Sequence, residues 1–142
     1  MVTYTIRSAN WQDDGHFLRI IRETVFVKEQ QVPVELEWDE FDNDCLHLLA
    51  IDTSGRPIGT ARLLSDGHIG RMAVLKEWRG KGVGSAMLSR LLAETDDRHI
   101  RQAVLNAQIV AADFYKKFGF QVAGEEFIEA GIPHVKMIRE MQ

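Results

Sequence analysis

The most informative part of the sequence runs from Ile69 to Leu88 and reads IGRMAVLKEWRGKGVGSAML. It predicts a strand over Ile69–Val74, then a glycine-rich turn, then a helix over Val83–Thr95 with one apolar face. Glycines let a ligand approach the backbone closely, and the N–H groups of such a turn can point at one anion, reinforced by the helix dipole. Arg79 and Lys81 add positive charge at the same place. The stretch therefore predicts a site for a diphosphate.

The segments around this stretch predict an α/β domain with a mixed sheet. Tyr4 and Ile6 alternate with polar residues in a first strand, and the apolar spacing over Phe17–Val25 predicts a helix capped by Asp13 or Asp14. The remaining expectations are a loop with a short helical turn over Val27–Asp44, a hairpin of strands Cys45–Ile51 and Pro57–Leu64, strands Ala103–Leu105, Gln121–Phe127 and Pro133–Arg139, and a short helix over Ala111–Phe118.

Composition limits the classes of partner. The 142 residues fit one domain, 1–142, and a net charge of -4 supplies no basic surface for nucleic acid. No apolar run approaches the length of about 20 residues that spans a bilayer, and the N-terminus lacks signal-peptide features. The single cysteine, Cys45, excludes an internal disulfide and fits a reducing compartment, so we expect a cytoplasmic protein. The five histidines have no metal-ligand spacing with Cys45, and no metal is expected.

The spacing of the glycines separates three kinds of diphosphate site. A P-loop needs Gly-x-x-x-x-Gly-Lys-Ser/Thr, but Lys81 precedes the last two glycines, and the spacing of the dinucleotide fingerprint Gly-x-Gly-x-x-Gly is also absent. A site for ATP or a dinucleotide is therefore disfavoured. The pattern that matches is Arg/Gln-x-x-Gly-x-Gly/Ala, over Arg79–Gly84. It resembles the coenzyme A signature of the GNAT N-acetyltransferase superfamily.

Further blocks extend the resemblance over most of the chain. Asn106 and the segment Ala111–Phe120 lie where that family has equivalent residues, and Val25–Pro33, Glu37–Asp39 and Gly131–His134 resemble its ElaA/YjcF-type subgroup. The resemblance implies a single GNAT-like α/β domain with a central mixed, mostly antiparallel sheet flanked by helices. It also implies an acetyl-coenzyme A-dependent N-acetyltransferase, without a metal, that acts on a primary amine by direct attack in a ternary complex. Since many relatives pair through their C-terminal strands, a homodimer is one expectation.

The resemblance assigns the cofactor side of the site. The pantetheine arm would pair with the strand ending at Met72–Val74 as an extra strand, and one N–H there would face the thioester carbonyl. Tyr115 would protonate the thiolate leaving group, and Asn106 would bond the cofactor arm or a water. The residues expected to bind acetyl-coenzyme A are Met72, Ala73, Val74, Arg79, Gly80, Lys81, Gly82, Val83, Gly84, Ser85, Asn106 and Tyr115. Without the resemblance, packing explains Tyr115, and Asn106 could cap the exit from its strand.

The acceptor side is less sharply defined by the sequence. The residues expected there are Glu37, Trp38, Asp39, Glu129 and His134. Four of them are candidates for the general base, and His134 is preferred because a histidine titrates near neutral pH; on the residues alone it could also be an ordinary strand histidine. The expected catalytic residues are Tyr115, His134 and Asn106. The alternative is a non-catalytic acyl-coenzyme A-binding regulatory module, and the identity of the acceptor stays open.

Overall fold

Eight strands and four α-helices make up the computed structural model, which describes residues 3–37 and 39–141, without the side chains of residues 36 and 37. The strands are β1 (Tyr4–Ala9), β2 (Leu46–Asp52), β3 (Pro57–Leu63), β4 (Ile69–Val74), β5 (Gln102–Gln108), β6 (Gln121–Val122), β7 (Phe127–Glu129) and β8 (Ile132–Glu140). The helices are α1 (Trp11–Arg22), α2 (Val34–Glu37), α3 (Val83–Asp97) and α4 (Ala112–Lys116), with a π-helix over Glu23–Glu29 and 3₁₀ turns at Glu40–Asn43, Lys76–Trp78 and Ile109–Ala111.

The strands form two antiparallel halves. The first has the order β1-β2-β3-β4, and the second has β5-β8-β6 with β7 also paired to β8. A parallel bridge between His68 and Val104 joins them, and the Val104 N–H donates to the Gly67 carbonyl at 3.0 Å. From Ile69 onward β4 pairs with β3 and β5 pairs with β8, so a gap opens between β4 and β5. The predicted mixed, mostly antiparallel sheet is confirmed.

The core lies between the sheet and the helices α1 and α3. The apolar face predicted for α3 is buried through Met87, Leu88, Leu91 and Leu92, and Leu18 and Ile21 of α1 are fully buried. Each such side chain contributes about 1.5–3 kcal/mol by leaving water. This packing fixes the start of α3, and with it the glycine turn, against the sheet.

The N-terminal helix differs from the prediction in its cap. Asn10 caps α1, and its side chain accepts from the N–H groups of Gln12 at 2.8 Å and Asp13 at 3.3 Å. Asp14 instead accepts from the Asn10 N–H at 2.9 Å and pairs with Arg7, which holds the pKa of Asp14 at about 2. The prediction that Asp13 or Asp14 caps the helix was wrong because the cap is Asn10, three or four residues earlier, which alone separates β1 from α1.

Two further segments differ from the prediction. Val27–Asp44 holds more helix than expected, since the π-helix runs to Glu29 and α2 and a 3₁₀ turn follow. The single strand predicted over Gln121–Phe127 is two strands, because Gly124, with φ of +143°, interrupts the extended backbone. The hairpin of β2 and β3, the bounds of β4 and the position of α3 agree with the sequence analysis.

Candidate active site

A cavity of about 550 Å³ opens where β4 and β5 diverge. Its lining includes Met72 of β4, Asn106 of β5, Tyr115 of α4, and Glu129 and His134 from the β7–β8 end of the sheet. The structure thus brings together five residues that the sequence analysis had assigned to the site, and Asp39 lines the same cavity. Trp38 and the side chain of Glu37 lie outside the described residues.

A β-bulge shapes the cavity edge of β4. Thr60 pairs with Ala73 but Arg62 pairs with Gly70, so β4 holds one residue more than β3 over this stretch. Arg71 takes up the extra length with a left-handed φ of +50°. Bulges re-aim side chains and end strand pairing next to active sites. The sequence analysis predicted a regular strand over Ile69–Val74, and the residue pattern of this segment did not indicate the bulge.

The glycine turn has the geometry of an anion site. Gly80 and Gly82 have φ values of +77° and +88°, and a Cβ at Gly80 would meet no atom within 4 Å. Helix α3 begins directly afterwards at Val83, with no side-chain cap from Gly82 and no acidic residue in its first turn. The first N–H groups of a helix lack intrahelical partners and carry the positive end of its dipole, so this end of α3 favours a phosphate.

The two cations of the turn have different surroundings. Arg79 donates to Glu29 at 2.6 and 2.8 Å, and its Nε donates to the Val74 carbonyl at 3.0 Å. These hydrogen bonds hold the pKa of Glu29 below its usual range. Lys81 extends over the ring of Trp78, 5.4 Å from its centroid. The sequence analysis assigned the positive charge of Arg79 to the turn. In the structure, the carboxylate of Glu29, at the end of the π-helix, balances that charge.

If the glycine turn holds the pyrophosphate of acetyl-coenzyme A, as the sequence analysis expects, replacing Glu29 with glutamine should tighten acetyl-coenzyme A binding by about threefold, because one negative charge leaves its neighbourhood. Isothermal titration calorimetry measures the change, which should shrink as salt is added. Glu94, which pairs with Arg98 at 3.3 Å on α3, provides the control: Glu94→Gln should leave the Kd unchanged. Equal affinities of Glu29→Gln and the unmodified protein would contradict the expectation.

Tyr115 lies at the junction of α4 and the β4 edge. Its hydroxyl is 3.8 Å from the Met72 Sδ, and its ring packs edge-on against Phe114 and Phe120 with centroid distances of 5.1 and 6.0 Å. Burial raises the pKa of Tyr115 to about 12. The phenol therefore keeps its proton throughout the physiological pH range and presents it as a donor inside the cavity.

His134 and Glu129 form a pair at the β7–β8 end of the same cavity. The Nδ1 of His134 is 2.6 Å from the Ile132 carbonyl oxygen, and its Nε2 is 3.6 Å from a carboxylate oxygen of Glu129. The imidazole stacks on Phe127, and the His134 side chain is 9% exposed, whereas the Glu129 side chain is 52% exposed. The histidine is thus fixed in orientation, and the carboxylate beside it is accessible.

Asp39 is held by two arginine side chains at the edge of the cavity. It accepts from both terminal nitrogens of Arg62 at 2.7 Å each and from Arg71 at 3.2 Å. Burial alone would raise the pKa of Asp39, but the bonds and charges of these arginines outweigh it and lower the pKa. A carboxylate held in this way is a weak base, so the geometry argues against Asp39 as the general base.

Behind Asp39 lies a buried ion network that the sequence analysis missed. Arg22, which is fully buried, donates to Asp42 at 2.8 and 3.1 Å, and Arg62 joins the same carboxylate at 2.9 Å. His47 and Cys45 lie against it, within 4.8 Å of Asp42. Burial raises the pKa of the Cys45 thiol to about 11, and the Asp42 carboxylate is engaged by arginines. We therefore interpret this cluster as an ion network that holds Asp39.

Comparison with known proteins agrees with this geometry. Residues 12–141 match the family described as the acetyltransferase (GNAT) domain. The chain belongs to this family. It is 42% identical over 124 residues to YjcF of Bacillus subtilis (strain 168), named an uncharacterized N-acetyltransferase, covering 84% of this chain and 88% of that protein. It is also 33% identical over 149 residues to the protein ElaA of Escherichia coli (strain K12), covering 92% and 96% of the two.

Solved structures extend the comparison. The crystal structure of Escherichia coli ElaA aligns with a TM-score of 0.86 at 29% identity and covers 96% of this chain and 99% of that one. The GNAT resemblance and the ElaA/YjcF-type subgroup that the sequence analysis named are therefore confirmed. Among the described residues, none of the helices is both long and apolar enough to cross a membrane. The chain has the fold and family of acyl-coenzyme A-dependent acetyltransferases.

Proposed function

We propose that this protein transfers the acetyl group of acetyl-coenzyme A to a primary amine by direct attack within a ternary complex. The observation that carries the proposal is one cavity lined by the bulged edge of β4, the Tyr115 hydroxyl and the Glu129–His134 pair. The phenol of Tyr115 would serve as a proton donor and the imidazole of His134 as a proton acceptor in this one cavity. Both proton movements that aminolysis of a thioester needs thus have a residue in reach of the cavity.

The residues around the gap fit acetyl-coenzyme A. The backbone of Arg79–Gly84 would hold the pyrophosphate at the uncapped start of α3, and Ser85 would add a hydroxyl. The gap-facing edge of β4 at Met72–Val74, where Arg79 bonds the Val74 carbonyl, would pair with the pantetheine arm. One N–H of this edge would stabilise the negative charge on the thioester oxygen during attack. Asn106, on the exposed side of β5, would bond the arm from the other wall.

The attacking amine must first lose a proton. An amine with a pKa near 10.4 is unprotonated in about one molecule in a thousand at pH 7.4, which corresponds to about 4 kcal/mol. His134 is the base that we assign, because its ring is oriented by the Ile132 carbonyl and faces the cavity. Asp39 is the weaker candidate, because its two arginine partners lower its pKa.

The departing sulfur needs a proton donor, and we assign Tyr115 to this role. The raised pKa of Tyr115 limits how far its proton can move toward the sulfur. Full proton transfer from a phenol with a pKa of about 12 to a thiolate whose conjugate acid has an ordinary pKa near 8.5 would be unfavourable by about 5 kcal/mol. Tyr115 therefore stabilises the sulfur by a hydrogen bond and passes its proton only as it recovers one from the newly acylated nitrogen. No free tyrosinate accumulates in this scheme.

Thermal melting tests the binding half of the proposal. Acetyl-coenzyme A at about 100 times its Kd should stabilise the fold by about 2.7 kcal/mol and raise the Tm by several degrees, while ATP and NAD should not. Gly80→Val should abolish the shift. Gly55→Val is its matched control, since Gly55 also has a positive φ, +88°, and open space around it, but lies in the β2–β3 hairpin. A larger shift with ATP or NAD would overturn the assignment of the turn.

A further inference from the structure

The position of the proton on His134 follows from its hydrogen bond within β8. Its Nδ1 lies 2.6 Å from the carbonyl oxygen of Ile132. A carbonyl oxygen only accepts hydrogen bonds, so Nδ1 must be the donor, and in the neutral imidazole the lone pair is then on Nε2. Because Ile132 is two residues away on the same strand, this preference is built into the backbone and needs no bound substrate.

The lone pair of Nε2 faces another acceptor. Nε2 lies 3.6 Å from a carboxylate oxygen of Glu129, which is beyond hydrogen-bond distance. With the ring proton on Nδ1, both Nε2 of His134 and the carboxylate oxygen of Glu129 are hydrogen-bond acceptors, and no proton lies between them. A group that carries at least two N–H donors can bond both acceptors at once. A primary ammonium nitrogen about 2.9 Å from each atom spans this separation.

We propose that Glu129 and His134 together form the binding site for the ammonium group of the acceptor, with Nε2 as the atom that removes its proton. This inference rests on the acetyl transfer proposed above and deepens it by naming what recognises the amine. Glu129 supplies the charge that attracts the cation, and Nε2 supplies the basic lone pair. The sequence analysis had treated the two residues as alternative bases, whereas the geometry makes them partners.

The other ionisable groups around the cavity do not compete for this role. Among the described lining residues they are Asp39, Arg62, His68, Arg71 and Tyr115. Asp39 is bound by Arg62 and Arg71, and Tyr115 stays neutral because burial raises its pKa to about 12. His68 pairs with Asp66 at 2.9 Å. Within the described part of the chain, Glu129 is thus the cavity carboxylate without an arginine partner.

Acetyl transfer removes two of the three protons of the ammonium group and breaks one C–S bond. One ammonium proton moves to Nε2 of His134, and Glu129 stabilises the imidazolium that forms. The freed lone pair attacks the thioester carbon, the N–C bond forms and the C–S bond breaks. Tyr115 gives its proton to the sulfur and recovers the second nitrogen proton, so the products are an amide and a free thiol. His134 then releases its proton to solvent.

Nitrogen-15 NMR of the histidine rings in the full-length protein tests the proton position without any acceptor. The His134 resonances are assigned by their loss in His134→Asn. We expect the neutral ring to carry its proton on Nδ1. A proton on Nε2 would overturn the proposal, because Nε2 would then donate toward Glu129 and the pair would need no ammonium.

The same resonances test binding, with n-propylammonium chloride as the probe and n-propanol and sodium chloride as controls. We expect the ammonium, but neither control, to shift the His134 Nε2 resonance, with an apparent Kd at least fivefold weaker in Glu129→Gln. Glu126→Gln is the matched variant, since Glu126 is exposed and three residues away. Equal affinity in Glu129→Gln, or an equal response to n-propanol, would overturn the proposal. This experiment measures binding alone. Failure of the proposed acetyl transfer would be detected separately, as the absence of thiol release in an activity assay.

Discussion

Tyr115→Phe should lower kcat by about 100-fold or more, because it removes the proton donor to the sulfur and keeps the ring. The ring contacts with Phe114 and Phe120 remain, so the Kd for acetyl-coenzyme A and the Tm should change little. Thiol release at saturating acetyl-coenzyme A measures kcat, and calorimetry measures the Kd. Asp113→Asn is the control, since Asp113 lies on the same helix, its side chain is 94% exposed and it is absent from the cavity lining.

The pH profile sharpens this test. Since the pKa of Tyr115 is about 12, its ionisation should cause no loss of activity up to about pH 10. Turnover of Tyr115→Phe close to that of the unmodified enzyme at every pH would contradict the role of the hydroxyl. A Tyr115→Phe protein that had lost acetyl-coenzyme A binding would instead show that the residue mainly shapes the cavity.

Asp42→Ala should destabilise the fold by about 3–5 kcal/mol, because it leaves buried arginine charge without its partner. Arg22 is fully buried and Arg62 is 6% exposed, and both donate to the Asp42 carboxylate. Urea unfolding measures the loss. The control is Asp113→Ala, whose side chain is 94% exposed and which should stay within about 0.5 kcal/mol of the unmodified protein. Equal stability of the two variants would contradict the importance of the network.

The stability of the protein at low pH should depend on the same carboxylate, that of Asp42. Burial alone would raise the pKa of Asp42, but its bonds to Arg22 and the charges of Arg22 and Arg62 outweigh burial and lower it. A group whose pKa is lowered by folding stabilises above its ordinary pKa of about 3.9, and this contribution is lost as the pH falls through the folded value. Stability measured against pH should therefore fall less steeply below about pH 4 in Asp42→Ala than in the unmodified protein.

Local patterns predicted the parts of the fold whose causes are local. The glycine turn, the apolar face of α3 and the hairpin each depend on residues close together in the chain, and they are confirmed. The bend at Gly124 and the cap at Asn10 are also local, but the sequence analysis predicted one unbroken strand and a cap at Asp13 or Asp14. The π-helix over Glu23–Glu29 has no distinct composition, so periodicity did not separate it from a continuing α-helix.

Contacts between distant segments could not be predicted from the same patterns. Asp42 lies in the segment predicted as a loop with a short helical turn, yet it is 1% exposed because Arg22 and Arg62, each 20 residues away, meet it. Gln30 and Gln108 exchange hydrogen bonds of 2.9 and 3.4 Å across the cavity wall, 78 residues apart. Resemblance to the family identified Tyr115 and His134, whereas the link between His134 and Glu129 required coordinates.

Acetyl transfer itself is tested most directly by mass spectrometry of the enzyme mixed with acetyl-coenzyme A, with and without a panel of primary amines. The expected result is an acetylated amine and free coenzyme A in equal amounts, formed only when an amine is present, with the enzyme unmodified throughout. An acetylated enzyme that forms without the amine would contradict direct attack. Tight binding of acetyl-coenzyme A with no transfer to any amine would show a binding module in place of a transferase.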